Sequence, residues 1–531
     1  MKENTDHITN RNGRTFNYQY TAALLVIVTA FSRLFGFARE VLMTKYFGSS
    51  AETDAFFFAI TLSQFFTVYL VSAISQTSIP IFAEVDADES VDTERFSNNI
   101  INITMLFSVV LLLLATVFIR PLTSILAQGI ARNSHEAFEL TVKLSRITMI
   151  SILFPGLIGV FSGYLRYNRR FLAPAMIGIA SNATYLLYLV FFSNQFGIIG
   201  LTWVSVLASF AQFLLLLPSI ARSQFQYRPI LDFKDPYVRR MGKLSIPIIF
   251  STIVSEASTI VDKSLATWLP EGSVTYLTYG GLINTTILGV FISSVITIVY
   301  PAMSQALARK EPNRAHRYLG QAYSAVLVIT IPLAIFMTVF SKEIVTILFQ
   351  RGRFDSVDTL NTAKVVSYYA LGLPAFSFMR ITMNAYHANK DTRTPAVFAV
   401  LLLIFNVLFT LLFINHMGVS GIALASGISS AIVTISLIVL LKKKQGYSLA
   451  RKNLLITFGK TLVASAVCLA FILIGKYLFH HFVPSTRLNN IAFIAISVLT
   501  LLLFFLLGHL LKIQEVLSIT KSIRKKLFPR A

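Results

Sequence analysis

Arg33, Arg39 and Glu40 stand in the stretch FSRLFGFARE, directly after the apolar run Thr21 to Phe31. None of the three has the neighbours of a catalytic centre. A guanidinium is, however, well suited to a diphosphate, because its planar fork donates two hydrogen bonds at once. Arg33 and Glu40 are seven residues apart, which returns to nearly the same face of a helix. A second set, Glu256, Asp262 and Lys263, lies in another apolar stretch, where Glu256 and Lys263 repeat the spacing with the signs exchanged. Asp54 opens the helix expected after the first, and Ser32 and Gly36 flank the arginines. These residue types point to anion binding and ion-pair gating. Arg33 and Arg39 are the candidate diphosphate ligands, and Glu40, Asp54, Glu256, Asp262 and Lys263 the candidate gating residues.

Other chemistries find no support. The eight histidines are scattered, with His480 and His481 at the end of an apolar run and no metal-ligand spacing. GGLINTT (280–286) lacks the lysine of a phosphate loop. QRGRFD (350–355) reads as a solvated glycine turn. No Ser-His-Asp or Walker pattern is present, so the chain is expected to be neither an enzyme nor an ATP-driven pump. The single cysteine, Cys468, excludes an intramolecular disulfide and a cysteine metal cluster.

The elements that position these charges follow from composition. The 531 residues are 55% hydrophobic and only 13% charged, with mean hydropathy +0.68, a balance that indicates a polytopic membrane protein. A charge at the bilayer centre costs roughly 2.5–3.5 kcal/mol. Three facing lipid would cost on the order of 8–10 kcal/mol, as much as a domain's net stability. The arginines are therefore expected to face protein or water. The net charge of +22 reads as lysine and arginine gathered in cytoplasmic loops, not as a nucleic-acid surface.

Apolar windows long enough to span predict about fourteen helices. Basic loops such as RYNRRF (166–171), RKEPNRAHR (309–317) and KKKQGYSLARK (442–452) alternate with poorer ones such as SNQFG and INHMG. This predicts both termini in the cytoplasm. A repeat is also present. Pro174 is followed 23 residues later by GIIG, and Pro395 is followed 23 residues later by GVSG. A similar shift, 223, places Arg33 on Glu256, Arg39 on Asp262 and Glu40 on Lys263. The expected fold is all-α: two six-helix lobes related by a pseudo-two-fold along the membrane normal, plus two C-terminal helices. Transporters built on such repeats put substrate between the halves. The expected divisions are a tail at 1–19, an N-lobe at 20–221, a linker at 222–240, a C-lobe at 241–441, a basic loop at 442–457, the last two helices at 458–511 and a basic tail at 512–531.

SRLFGFAREVLMTKYFGSSAETDAFFFA (32–59), SQTSIPIFAE (75–84) and LFQRGRFD (348–355) resemble stretches of the MurJ (MviN) lipid II flippases, of the multidrug/oligosaccharidyl-lipid/polysaccharide exporter superfamily. The resemblance implies a flippase of the bacterial cytoplasmic membrane that carries an undecaprenyl-diphosphate-linked glycan by alternating access of two lobes. By that match Ser32, Arg33, Arg39 and Asp54 fall on functional positions, which adds Ser32 to the arginines as a candidate diphosphate ligand. It further implies a groove for the lipid tail at the last two helices, membrane lipids and envelope-synthesis enzymes as partners, and a monomer. No cofactor is expected beyond coupling to the membrane potential, Na+ or H+. The sequence departs from the family where Thr67 and Val68 stand in place of an arginine, and where Gly280, Gly281 and Asn284 replace an acid-arginine pair and a glutamate. These departures keep a flippase for a capsule, exopolysaccharide or teichuronic repeat unit open as an alternative. A drug/cation antiporter is the other alternative, though its site should be acidic and aromatic.

Overall fold

The structure, a computed structural model, describes residues 18–88, 92–223, 225–447, 451–482, 486–518 and 520. Most of the expected tails at 1–19 and 512–531, and the side chains of His480 and His481, lie outside the described residues. Every regular element among the described residues is helical.

The chain divides into two compact units, Met1–Ile260 and Val261–Ala531. The first contains α1 (Tyr18–Phe47), α2 (Ala51–Ala87), α3 (Thr93–Leu126), α4 (Gln128–Asn133), α5 (His135–Met149), α6 (Leu153–Tyr167), α7 (Leu172–Phe191) and α8 (Ser193–Ala221). The border falls within α9 (Pro236–Ala266). The second unit contains α10 (Ser273–Ile287), α11 (Ser293–Ala308), α12 (Pro312–Val339), α13 (Ser341–Phe349), α14 (Ser356–Ala388), α15 (Arg393–Met417), α16 (Val419–Gln445), α17 (Arg451–Phe482) and α18 (Thr486–Leu510). A 3-10 turn at Ile150–Ile152 joins α5 to α6, and a π-helical turn at Leu288–Ile292 joins α10 to α11. Among the described residues, eleven rods are long and apolar enough to cross a membrane. Three further rods, α1, α2 and α14, are as long, and α1 carries Arg33, Arg39 and Glu40 and α14 Lys364 and Arg380 along their length.

Within the first unit, α1 packs on α7, α7 on α8, and the α5–α6 rod on α2, α3 and α8. Within the second, α15 packs on α16, and α14 on the α10–α11 rod, on α12 and on α16. The pairing of the later helices thus repeats, α7 on α8 as α15 on α16 and the α5–α6 rod as α14, and α17 adds itself to α12 with α18 beside it. The turns repeat in detail. Asn168 and Asn389 each return a side-chain amide to the carbonyl four residues back, at 3.0 and 2.8 Å. The following residues, Arg169 and Lys390, take φ of 59° and 61°. Their successors, Arg170 and Asp391, then donate N–H groups to the Leu165 and Tyr386 carbonyls at 2.8 and 3.0 Å, closing the helix end as a Schellman turn does. One helix later, Gly197 (φ 54°, ψ −147°) and Gly418 (φ 58°, ψ −139°) share a conformation open in practice to glycine alone. All these partners lie 221 residues apart.

The segment at 222–240 looks in sequence like a solvated linker. Three asparagines of α3 hold most of it. Asn98 donates to the Gln226 carbonyl at 2.9 Å and accepts the Arg228 N–H at 2.9 Å. Asn99 makes the same two-way exchange with Asp232 at 2.8 and 2.7 Å. Asn102 donates to the Arg228 and Ile230 carbonyls and accepts the Tyr227 hydroxyl. Extended backbone has no partners of its own, and the amide side chain supplies both a donor and an acceptor. The start of α9 is then fixed to the end of α2 by Tyr237 to Asp88 at 2.6 Å and by Arg240 to Glu84 at 3.0 Å. Beneath these contacts Phe82, Phe96 and Tyr164 meet edge to face and tie α2, α3 and α6 together.

Gly197→Ala and Gly418→Ala are expected to lower stability by about 1–3 kcal/mol each, the cost of a non-glycine residue in that conformation. Gly242→Ala, in open space on α9, should instead raise it by up to about 1 kcal/mol. Thermal unfolding of the detergent-purified protein reads both signs.

Candidate functional site

Ser32, Gly36 and Arg39 succeed one another at helical spacing along the face of α1 that meets α7. Small residues let the two backbones approach. The Ser32 carbonyl accepts a hydrogen bond from Asn182 Nδ2 at 3.1 Å. Its hydroxyl covers Gly178, where an added Cβ would lie 2.3 Å away. Asn182 also lies 3.3 Å from the place a Cβ on Gly36 would take. Ser32 is therefore a seam residue between α1 and α7.

The same face carries Arg39 to Tyr185. Its guanidinium lies 5.0 Å from the ring centroid, within cation–π range. Arg39 also donates to Glu40, through Nε at 3.1 Å and through a second, shorter bond from its terminal nitrogen. Glu40 is buried and Arg39 half-buried. A charge-assisted fork is among the stronger hydrogen-bonded arrangements, and the ring supplies attraction without a counter-charge. Arg33 is exposed. The helical spacing that groups Arg33 with Glu40 is thus not the grouping found, since Glu40 engages its immediate neighbour. Asp54 is buried in the first turn of α2, behind the Ser50 N-cap, where the helix dipole favours a carboxylate.

On α9, Glu256 and Lys263 are half-buried and Asp262 is buried. Asp262 accepts a hydrogen bond from Asn406 Nδ2 at 2.6 Å. Ser426 donates to Asn406 Oδ1 at 3.2 Å and to the Ile422 carbonyl at 3.1 Å. A carboxylate, an amide and a hydroxyl from α9, α15 and α16 so form one buried oxygen-rich cluster. Among the described residues no group of three or more histidine, cysteine or acidic side chains is placed to hold a metal.

The repeat relates the two clusters. Tyr185 and Asn406 are 221 residues apart, as are Ser205 and Ser426. Ser205 lies beside the Tyr185 hydroxyl as Ser426 lies beside the Asn406 amide. Arg39 and Asp262 are the partners at the shift of 223. One architecture therefore presents a cation on an aromatic ring in the first unit and a carboxylate under an amide in the second. Tyr185, Asn182, Asn406 and Ser426 were not singled out by their types. The signal that reaches the pairing is the 221-residue interval of the prolines, carried about three turns further along the same helices.

A sequence profile described as lipid II flippase MurJ matches residues 43–493. The lipid II flippase MurJ of Thermosipho africanus (strain TCF52B) is 31% identical over 79% of this chain and 85% of its own. A solved lipid II flippase MurJ in an inward closed conformation superposes with TM-score 0.76 at 28% identity, over 92% of this chain and 98% of that one. An inward-facing multidrug resistance MATE family transporter of the MOP superfamily gives TM-score 0.67 at 13% identity, over 80% of this chain and 98% of that one, a likeness of fold alone.

Asn406→Ala removes a donor from a buried carboxylate. It is expected to cost about 1.5–3 kcal/mol, the range for hydrogen bonds to charged groups. Ser426→Ala, one step removed, should cost less. Thermal unfolding in detergent at neutral pH checks the order.

Proposed function

The chain belongs to the lipid II flippase MurJ family, whose profile covers residues 43–493. From that premise we infer that it carries an undecaprenyl-diphosphate-linked glycan, lipid II or a related envelope precursor, across the bacterial cytoplasmic membrane by alternating access. No bond is made or broken. The observation that carries this reading is Arg39, a guanidinium kept half-buried in a long apolar helix by Glu40 and Tyr185. Ionisable residues placed so are costly and mark pathways.

In this reading the exposed Arg33 meets the diphosphate first. Arg39 follows, exchanging one hydrogen bond to Glu40 for one to a phosphate oxygen. Because the anion competes with Glu40, binding shifts the balance of conformations by the difference between the two pairings. Ser32 keeps α1 in register on α7 while this happens. Asp54, Glu256 and Lys263 balance the charge that the anion brings and releases, with Glu256 a gating partner for the arginines. The Asp262–Asn406–Ser426 cluster takes the coupling ion, Na+ or a proton, on its carboxylate. Membrane potential contributes roughly 2.3 kcal/mol per charge per 100 mV. The loop charges support both termini in the cytoplasm, and α17 and α18 provide the surface for the lipid tail.

Arg33→Ala and Arg39→Ala test the reading in a flipping or complementation assay. Losing a charge-assisted hydrogen bond costs about 1.5–3 kcal/mol, so each variant should lose roughly 10- to 150-fold in transport at unchanged protein level. Wild-type transport in both would reject it. Asp262→Asn should bind precursor normally yet lose the dependence of transport on Na+ or pH. A variant that keeps the full dependence removes that cluster from the coupling.

A further inference from the structure

A groove of about 670 Å³ opens between α5 and α8, in the first unit and apart from the α1–α7 seam. Lys143 and Arg146 line it from one face of α5, with Ile147, Ile199 and Trp203 as its apolar wall. Both cations are exposed. The acid in the groove is Glu139, and its two oxygens are already taken by Arg120 at 2.6 and 3.1 Å. The groove thus presents two positive charges without a carboxylate to spare.

Depth identifies what meets them. The rod His135–Tyr167 has 33 residues. At about 1.5 Å per residue it is about 50 Å long, about 20 Å more than the hydrocarbon core, so centred on the core it overhangs by about 10 Å at each end. Lys143 and Arg146 lie about 12 and 17 Å from the His135 end, which in that placement is about 2 and 7 Å inside the hydrocarbon boundary. Long cationic side chains at that depth reach up to the phosphate layer, and tryptophan is enriched there. Trp203 is 47% exposed, and Leu207, Phe210 and Leu214 continue from it as an exposed stripe down α8 at helical spacing. Head and tail positions for one amphiphile are therefore continuous.

We propose that this groove is a binding site for an anionic phospholipid. Lys143 and Arg146 hold its phosphate, Trp203 covers its glycerol region, and one acyl chain follows Leu207, Phe210 and Leu214. The lipid neutralises two charges that would otherwise sit at the hydrocarbon boundary without a partner.

Native mass spectrometry of the full-length protein titrated with phosphatidylglycerol, or with phosphatidylcholine of matched chains, tests this. The wild type should retain phosphatidylglycerol at least tenfold better. The double variant K143Q/R146Q should lose that preference, K143R/R146K should keep it, and Trp203→Ala should lower retention about threefold for both lipids. Equal retention of the two lipids by the wild type overturns the proposal. So does a preference unchanged in K143Q/R146Q, or displacement of phosphatidylglycerol by millimolar inorganic phosphate, which would mark a site for the free ion. If K143Q/R146Q proves unstable, the charge-retaining variant and Trp203→Ala decide alone.

Discussion

Inside the apolar length of α1, the Arg39 guanidinium is held between the Glu40 carboxylate and the face of the Tyr185 ring. Arg39 is half-buried, and these partners replace part of its hydration. The α1–α7 seam makes this sandwich possible. The seam of Ser32, Gly36 and Gly178 brings α1 close enough to α7 for the ring to be reached, and Asn182 fixes the rotation of one helix on the other through the Ser32 carbonyl. Substituting a larger residue at the seam would push the ring away from the charge before it touched the charge itself.

The second unit solves the opposite electrostatic problem with the same backbone. A carboxylate stands where the first unit has a guanidinium, and an amide stands where it has a phenol. An aromatic face attracts a cation and would repel Asp262, whereas an amide can turn its N–H groups to a carboxylate. The partner changes with the charge, while the serine beside it, which can donate or accept, does not. The repeat thus keeps the positions of the polar centre and lets its sign differ.

This division also explains what could be read from the sequence. The repeat was legible because it rests on backbone needs: Gly197 and Gly418 occupy a conformation that excludes side chains, so glycine recurs at a fixed interval. The charges were legible because ionisable residues are outliers in an apolar run. Their partners were not, since tyrosine, asparagine and serine are ordinary in membrane helices, and which of them meets Arg39 or Asp262 depends on the rotation of one helix against another. The strap at 226–232 was illegible for a related reason. Its own residues look like a solvated loop, and what orders it is a run of asparagines more than a hundred residues earlier.

That strap decides where foreign sequence can be grafted. Two of the α3 amides each exchange a donor and an acceptor with a single strap residue's neighbourhood, Asn98 near Arg228 and Asn99 at Asp232, so the register between Gln226 and Asp232 has no slack. An epitope tag or a protease recognition sequence spliced within that interval would shift one clamp out of step with the other. A cassette placed outside that interval would leave both clamps in step. For labelling or limited digestion, the polar middle of the strap is therefore the point to avoid.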